Sequence, residues 1–92
     1  MEIKQTNRFK KAYKKLHSNQ LADVNKAIKS VIKNPDIGEL ETGNLSRLRV
    51  YKFKMTGQIT LLGYTVCDEG EVVLTFVDVG PHENFYRDLK KI

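Results

Sequence analysis

The chain has 92 residues, of which 40% are hydrophobic and 29% are charged, and this length and composition predict one folded domain over residues 1–92. Its one cysteine, Cys67, excludes an internal disulfide framework and a cysteine-based zinc cluster. No apolar run approaches the roughly 20 residues that a membrane-spanning helix needs. The first residues lack the apolar core of a signal peptide, so we expect a cytoplasmic protein.

Positive charge is concentrated in the first third of the chain. Lys and Arg number 16 against 11 Asp and Glu, which gives a formal net charge of +5. Residues 1–34 hold nine basic and two acidic side chains, whereas residues 35–92 hold seven and nine. This asymmetry favours a polyanion or an acidic protein as the partner. The alternative is that the lysines form solvated helix faces, which requires no ligand.

The basic region predicts a short edge strand followed by two antiparallel amphipathic helices. The strand covers Glu2–Gln5, and the first helix follows with Thr6 or Asn7 as its N-cap. Ser18 or Asn19 can cap the second helix, which a proline at position 35 ends. The buried stripes repeat at helical spacing and consist of Phe9, Ala12, Tyr13 and Leu16 in the first helix and of Leu21, Val24, Ala27, Ile28, Val31 and Ile32 in the second.

A loop and an irregular strand follow the helices. Residues Pro35–Ser46 predict a loop, because they contain a proline, two glycines, three acidic residues and no hydrophobic period. Alternating strand-forming residues begin at Arg47. The apolar positions change parity, from Leu48 and Val50 to the odd-numbered positions from Tyr51 onward. We therefore expect a bulge or bend between Val50 and Tyr51.

Two more strands and a terminal helix complete the predicted fold. The strands cover Ile59–Cys67 and Glu71–Val79, with a hairpin turn over Asp68–Gly70. The segment His82–Lys91 has apolar residues at helical spacing and predicts a short helix. The predicted fold class is α+β in the order βααβββα, with two N-terminal helices packed on one face of a small antiparallel sheet and a short helix at the end.

The first strand after the loop carries four cations and an aromatic ring. Arg47, Arg49, Lys52 and Lys54 suit phosphate groups, and Tyr51 can stack on a base. The two-residue period of a strand places the lysines on one face and the arginines with Tyr51 on the other. The alternative is an exposed face or a lysine-protected sheet edge.

The tail after the last strand is the second candidate site. His82, Tyr86 and Arg87 lie within six residues, and His82 and Tyr86 share one face if the segment is helical. An imidazole can accept or donate a proton in general acid–base catalysis. The alternative is that His82 caps the turn and Tyr86 packs against the core.

Other residues and missing motifs limit the kinds of site that the chain is expected to contain. The chain has two histidines and no HExxH or H-x-E spacing, so we expect no metal site. Phosphate-binding glycine motifs are missing, and we expect no cofactor. Cys67 lies on an apolar strand and is predicted to be a small core residue. Asp78 either faces the site or lies on the solvent side of its strand.

The order of these features resembles the RelE/ParE superfamily of bacterial toxin–antitoxin toxins. The resemblance covers two basic helices, the proline-bounded loop, the strand Tyr51–Met55, the acidic turn Asp68–Gly70 and the ending Val79–Arg87. It implies a microbial-RNase-like fold and, for the RelE branch, cleavage of messenger RNA in the ribosomal A site. It also implies a cognate antitoxin, which we expect to be acidic and partly disordered.

The resemblance also implies roles for individual residues. Lys52 and Lys54 match the family's Lys-x-Lys pair, which binds phosphate and assists proton transfer. His82 matches the basic residue after the final strand, and Tyr86 matches the aromatic residue that stacks on the substrate base, with Phe85 as the alternative. One departure is the segment Thr60-Leu61-Leu62, which has no cation where RelE has an arginine. Candidates to supply that charge are Arg47, Arg49 and Arg87.

These residues suit metal-free RNA cleavage, in which a 2′-hydroxyl attacks the adjacent phosphate. The catalytic candidates are His82, Lys54 and Tyr86, with Lys52 and the arginines on phosphates. We therefore expect a ribosome-dependent endoribonuclease that inhibits translation. Two alternatives remain open: a ParE-like inhibitor of DNA gyrase, and a basic RNA-binding module without catalytic activity.

Overall fold

A five-stranded sheet carries two helices on one face. The computed structural model describes residues 1–41, 47–82 and 85. In space the strands follow the order β1-β5-β4-β3-β2. The elements in chain order are β1 (Glu2–Gln5), α1 (Asn7–Lys14), α2 (Ser18–Lys33), β2 (Glu39–Leu40), β3 (Arg49–Met55), β4 (Gln58–Glu69) and β5 (Glu71–Pro81).

Both predicted helices are confirmed, and side chains fix where each begins. The Thr6 hydroxyl accepts a hydrogen bond from the Phe9 N–H at 3.1 Å and donates one to the Val77 carbonyl at 2.7 Å. This single residue therefore caps α1 and ties its start to β5. The cap of α2 is His17, one residue before the predicted positions, and the Gln20 side chain accepts from its N–H at 2.8 Å.

The predicted edge strand β1 is confirmed, but the sheet is mixed rather than antiparallel. β1 pairs in parallel with β5, from Glu2 opposite Val73 to Gln5 opposite Phe76. The pairs β2–β3, β3–β4 and β4–β5 are antiparallel, as predicted. β1 and β5 are not joined by a hairpin, since two helices and three strands lie between them in the chain, so their connection does not impose antiparallel pairing.

The prediction of an unbroken loop over Pro35–Ser46 was wrong. Glu39 and Leu40 form β2, in register with Val50 and Arg49. Two residues are too few to show a hydrophobic period, so no pattern in the sequence indicates this strand. Residues 42–46 of the predicted loop lie outside the described residues.

The predicted bulge at Val50 and Tyr51 was also wrong. β3 and β4 stay in register from Arg49 to Met55, and the irregularity lies between β4 and β5, where Gly63 pairs with Asp78 and Tyr64 with Phe76. The change of parity in β3 has another cause: the strand is apolar on both faces.

Two hydrophobic clusters lie on opposite faces of the sheet. The larger one packs between the helices and the sheet, and its buried members are Phe9, Val24, Ala27, Val31, Met55, Leu62, Tyr64, Leu74, Phe76 and Val79. The smaller one, on the other face, consists of Leu48, Val50, Leu61 and Phe85, with Val77 packed against it. Cys67 is exposed near the end of β4 and belongs to neither cluster, so its predicted core position was wrong.

Only part of the predicted terminal helix can be compared with the structure. His82 and Phe85 have helical backbone conformation, while residues 83–84 and 86–92 lie outside the described residues. Within the described ranges, no helix is both long and apolar enough to cross a membrane.

Candidate nucleic-acid interface

The two lysines of β3 project from the sheet face that the helices leave open. Tyr51 and Phe53 pack against the cluster under the helices, and successive side chains of a strand point to opposite faces. Lys52 and Lys54 are therefore on the open face, and both are exposed. In β4 they lie opposite Leu61 and Ile59.

The register across three strands brings the end of β5 to these lysines. Lys52 pairs with Leu61, which pairs with Gly80, so the three residues form one row across the sheet. Neighbouring strands are about 4.8 Å apart, which places Gly80 roughly 10 Å from Lys52. Among the residues that the structure describes, a Cβ atom built on Gly80 would meet nothing within 4 Å, whereas Leu61, between Gly80 and Lys52 in the row, is buried. His82 follows two residues later and is exposed.

Phe85 anchors the start of the tail rather than offering a ring to a base. Its side chain is 2% exposed and packs in the smaller cluster with Leu48 and Leu61. The ring lies over Gly63, where an added Cβ would be 2.6 Å from Phe85 Cζ. This burial leaves no open ring face for stacking in the described structure. A glycine inside a strand is a sequence signal for such a close approach, and Gly63 was not among the predicted features of this strand.

The other predicted aromatic and basic residues of the tail, Tyr86 and Arg87, lie outside the described residues. The structure therefore describes only His82 and Phe85 among the tail's candidates. Arg47 is exposed in the turn before β3, one residue ahead of the buried Leu48.

Arg49 lies on the opposite face from the two lysines and contacts the segment before β2. Its Nη1 donates to the Gly38 carbonyl at 2.9 Å, and its Nη2 is 3.5 Å from Asp36 Oδ1. Tyr64 binds the same segment: its hydroxyl donates to the Pro35 carbonyl at 2.6 Å and accepts from the Gly38 N–H at 2.8 Å. Burial raises the pKa of Tyr64, although the hydrogen bond from Gly38 opposes that shift.

A groove with a volume of about 640 Å³ lies between α1 and the end of β5, beside the tail. It exists because β1 pairs with β5 only as far as Phe76, which leaves the last residues of β5 at the sheet edge. The charge asymmetry predicted a polyanion or an acidic protein as the partner of this basic region, but no sequence pattern indicated the groove. It is lined by Arg8, Lys11, Ala12, Lys15, Asp78, Val79, Gly80, Pro81 and Phe85.

Asp78 is buried and lines the groove. Of the two predicted alternatives, a side chain that faces the site and one on the solvent side of the strand, the structure agrees with the first. Its Oδ1 accepts a hydrogen bond from the Val79 N–H at 2.8 Å, and its Oδ2 is 3.7 Å from Arg8 Nη1. In the part of the chain that the structure describes, no group of three or more His, Cys, Asp or Glu side chains could hold a metal ion.

Comparison with known proteins establishes the family. A model of the ParE-like toxin of type II bacterial toxin–antitoxin systems matches residues 3–90. The chain belongs to this family. The resemblance to the RelE/ParE superfamily is thereby confirmed. No match to the toxin was found among curated proteins.

The toxin is similar in fold to RelE structures from Escherichia coli. It is 26% identical to a chain of the intact RelBE toxin–antitoxin complex, with a TM-score of 0.69 over 90% of this chain and 98% of that one. It is 25% identical to the isolated RelE toxin, with a TM-score of 0.67 over 98% and 95% of the two chains. A RelE double mutant in the free state is 23% identical, with a TM-score of 0.70 over 99% and 96%. The predicted α+β class is confirmed by these matches.

Proposed function

We propose that the toxin is an endoribonuclease that cleaves messenger RNA on the ribosome without a metal ion. The observation that carries the proposal is the row across the sheet that joins Lys52 to Gly80, with Lys54 beside it and His82 just beyond the end of β5. Lys52, Lys54 and His82 thus lie around one area at this end of the sheet, in which Leu61 is buried. Similarity to RelE supports the proposal.

The reaction requires two proton transfers and charge stabilisation. The RNA 2′-oxygen forms a bond to the adjacent phosphorus, and the bond from phosphorus to the 5′-oxygen breaks. The products are a 2′,3′-cyclic phosphate and a 5′-hydroxyl. One group removes the proton from the 2′-hydroxyl, and a second donates a proton to the leaving oxygen. We assign these two transfers to His82 and Lys54.

Lys52 then stabilises the negative charge that develops on the phosphorane. In the same proposal Tyr86 stacks on the substrate base and Arg87 binds a phosphate, while Arg47 contributes charge from the turn before β3. Arg49 supports the fold, because its guanidinium is bonded to the segment before β2 on the other sheet face. Phe85 likewise acts by holding the tail.

We also propose a cognate antitoxin as the partner of the toxin in the cytoplasm. The RelE neighbours include an intact complex with an antitoxin and a RelE double mutant in complex with an antitoxin peptide. An acidic, partly disordered chain would complement the net charge of +5 and could fold as it covers the basic surface. Its binding would stabilise this small domain by mass action.

The test is cleavage of a translated message by the purified full-length toxin on ribosomes. New 5′ ends are mapped by primer extension for the wild type, His82→Ala and Lys54→Ala. We expect each substitution to lower the cleavage rate by about 10²- to 10⁴-fold, the range typical of a lost acid or base. A matched control is Lys29→Ala, since Lys29 is an exposed lysine on α2, in the helix layer.

Three results would contradict the proposal. Wild-type cleavage by His82→Ala would remove the histidine from the mechanism. Growth arrest in cells with intact messages and accumulated cleaved DNA would indicate gyrase as the target. Salt-sensitive RNA binding without cleavage or growth arrest would indicate a binding module.

A further inference from the structure

We propose that the groove between α1 and the end of β5 is a second RNA subsite, which binds the phosphate backbone of the strand next to the cleavage position. Its phosphate ligands are Arg8, Lys11 and Lys15. The claim that this groove binds the substrate next to its cleavage position rests on the proposed function. The groove's affinity for single-stranded RNA can be measured separately.

The groove adjoins the candidate cleavage site at the end of β5. Gly80 belongs to the row that includes Lys52 on the open sheet face, and Gly80 and Pro81 also form one wall of the groove. His82 follows directly. A strand whose scissile phosphate lies at His82 can therefore pass over the edge of the sheet at Gly80 and continue along α1.

Helix geometry aligns the three cations along that path. Arg8, Lys11 and Lys15 are spaced by three and four residues, which places them on one side of α1. They span about 10 Å of helix axis at 1.5 Å per residue. This length suits contact with more than one phosphate of a single strand.

The buried carboxylate of the groove orients one cation without cancelling the positive charge. Asp78 lies 3.7 Å from Arg8, and its other oxygen is bonded to the Val79 N–H. Three cations and this one carboxylate leave the lining with a net charge of +2. Asp78 thus attracts the Arg8 guanidinium toward the groove wall as an ion pair.

The other side of α1 is mainly apolar. This contrast favours RNA over a protein as the ligand of the basic groove between α1 and the end of β5. Lys10 and Lys14 border a second groove, which is lined mainly by apolar side chains. Interfaces with proteins require apolar anchors at their centre, and the second groove supplies them. The remaining lining residues of that groove are Ile3, Gln5, Phe9, Tyr13, Ile28 and Phe76.

The two sides of one helix provide a matched experiment. The test variant is Lys11→Gln/Lys15→Gln, and the control is Lys10→Gln/Lys14→Gln; both remove two exposed lysines four residues apart. The probe is a fluorescent single-stranded RNA with 2′-O-methyl groups at every position, which lacks the nucleophile and cannot be cleaved. Anisotropy titrations of the full-length toxin over a series of salt concentrations give the affinity and its salt dependence.

We expect the test variant to lose affinity by on the order of 10-fold at 0.1 M salt, and the slope of log K against log[salt] to fall by about 1.4 for two phosphate contacts. The control should change affinity by less than about 3-fold, because charges that do not touch the strand are screened beyond about 10 Å. In the cleavage assay, the test variant should raise KM more than it lowers kcat.

Equal losses in both double variants would overturn the subsite, since they would show a general effect of helix charge. Unchanged RNA binding by the test variant, together with lost binding of a polyglutamate peptide, would overturn it in favour of an acidic protein partner. A toxin that never cleaves RNA, but in which only the test variant loses RNA affinity, would refute the proposed endoribonuclease and retain the groove as an RNA site.

Discussion

Replacing Gly63 with alanine tests whether Phe85 anchors the tail to the sheet. The new Cβ atom would lie 2.6 Å from Phe85 Cζ and 3.3 Å from Leu48 Cδ1. The first distance is far below van der Waals contact, so the ring must shift. Because Phe85 is 2% exposed in the smaller cluster, a shift disturbs a packed site.

The expected magnitude follows from two opposing terms. Gly63 does not have a positive φ, so alanine can adopt its backbone conformation, and a Gly→Ala change in a strand then stabilises by about 0.5–1 kcal/mol. Overpacking costs about 1–3 kcal/mol. We expect a net destabilisation of about 1–2 kcal/mol, which lowers Tm by roughly 4–16 °C for a domain of this size.

Urea denaturation and thermal melts of four proteins measure the effect: wild type, Gly63→Ala, Phe85→Leu and the double variant. Leucine removes the Cζ atom that meets the new methyl group, so the double variant should be more stable than the sum of the single effects predicts, by at least about 0.5 kcal/mol. Gly80→Ala is the control, since a Cβ there meets no described residue within 4 Å. Wild-type or higher stability of Gly63→Ala, or strict additivity in the cycle, would refute the anchoring role.

Two further substitutions test the hydrogen bonds and turns that support the sheet. Tyr64→Phe should destabilise by about 1–3 kcal/mol, because the buried Gly38 N–H loses its acceptor and the Pro35 carbonyl its donor. Burial raises the pKa of Tyr64, so the folded toxin retains a phenolic proton that the unfolded chain releases above pH 10. The free energy of unfolding therefore falls as pH rises through the folded-state pKa. Chemical denaturation at a series of pH values should show a shallower alkaline fall of this free energy in Tyr64→Phe than in the wild type. Thr56→Asn should stabilise by about 0.5–1 kcal/mol in thermal melts, because Thr56 and Gly57 have φ values of 48° and 83°, a turn that favours Asn-Gly. An unchanged alkaline profile, or a less stable asparagine variant, would contradict these two expectations.

The helices and the long strands could be predicted from the sequence because each contains several periods of one pattern. Phe9 and Val24 are buried within their predicted stripes, and Lys52 and Lys54 alternate along β3 as the strand period requires. The pattern of a single strand also separated Arg49 from the lysines. Local patterns do not contain the roles of individual site residues. The roles proposed for them came from the resemblance to a family.

The errors of prediction arose where structure depends on contacts between distant segments. The bulge was expected in β3 because one buried face was assumed, whereas Val50 is buried in the smaller cluster on the second face. Parallel pairing of β1 depends on the path of the whole chain. The groove beside α1 depends on where β1 stops, since Arg8 meets Asp78 only in the folded sheet.

The parallel pairing of β1 with β5 has a consequence for the order in which the toxin can fold during its synthesis. Residues 2–5 contact residues 73–76, and Thr6 is bonded to Val77 across 71 positions of the chain. The first strand therefore has no partner until most of the chain has left the ribosome, and contacts of such long sequence separation form slowly. β5, the strand that leads to His82, follows the other four strands of the sheet in chain order. The surface that joins Lys52, Gly80 and His82 is therefore completed only once β5 has been made, when β3 and β4 are already available to pair.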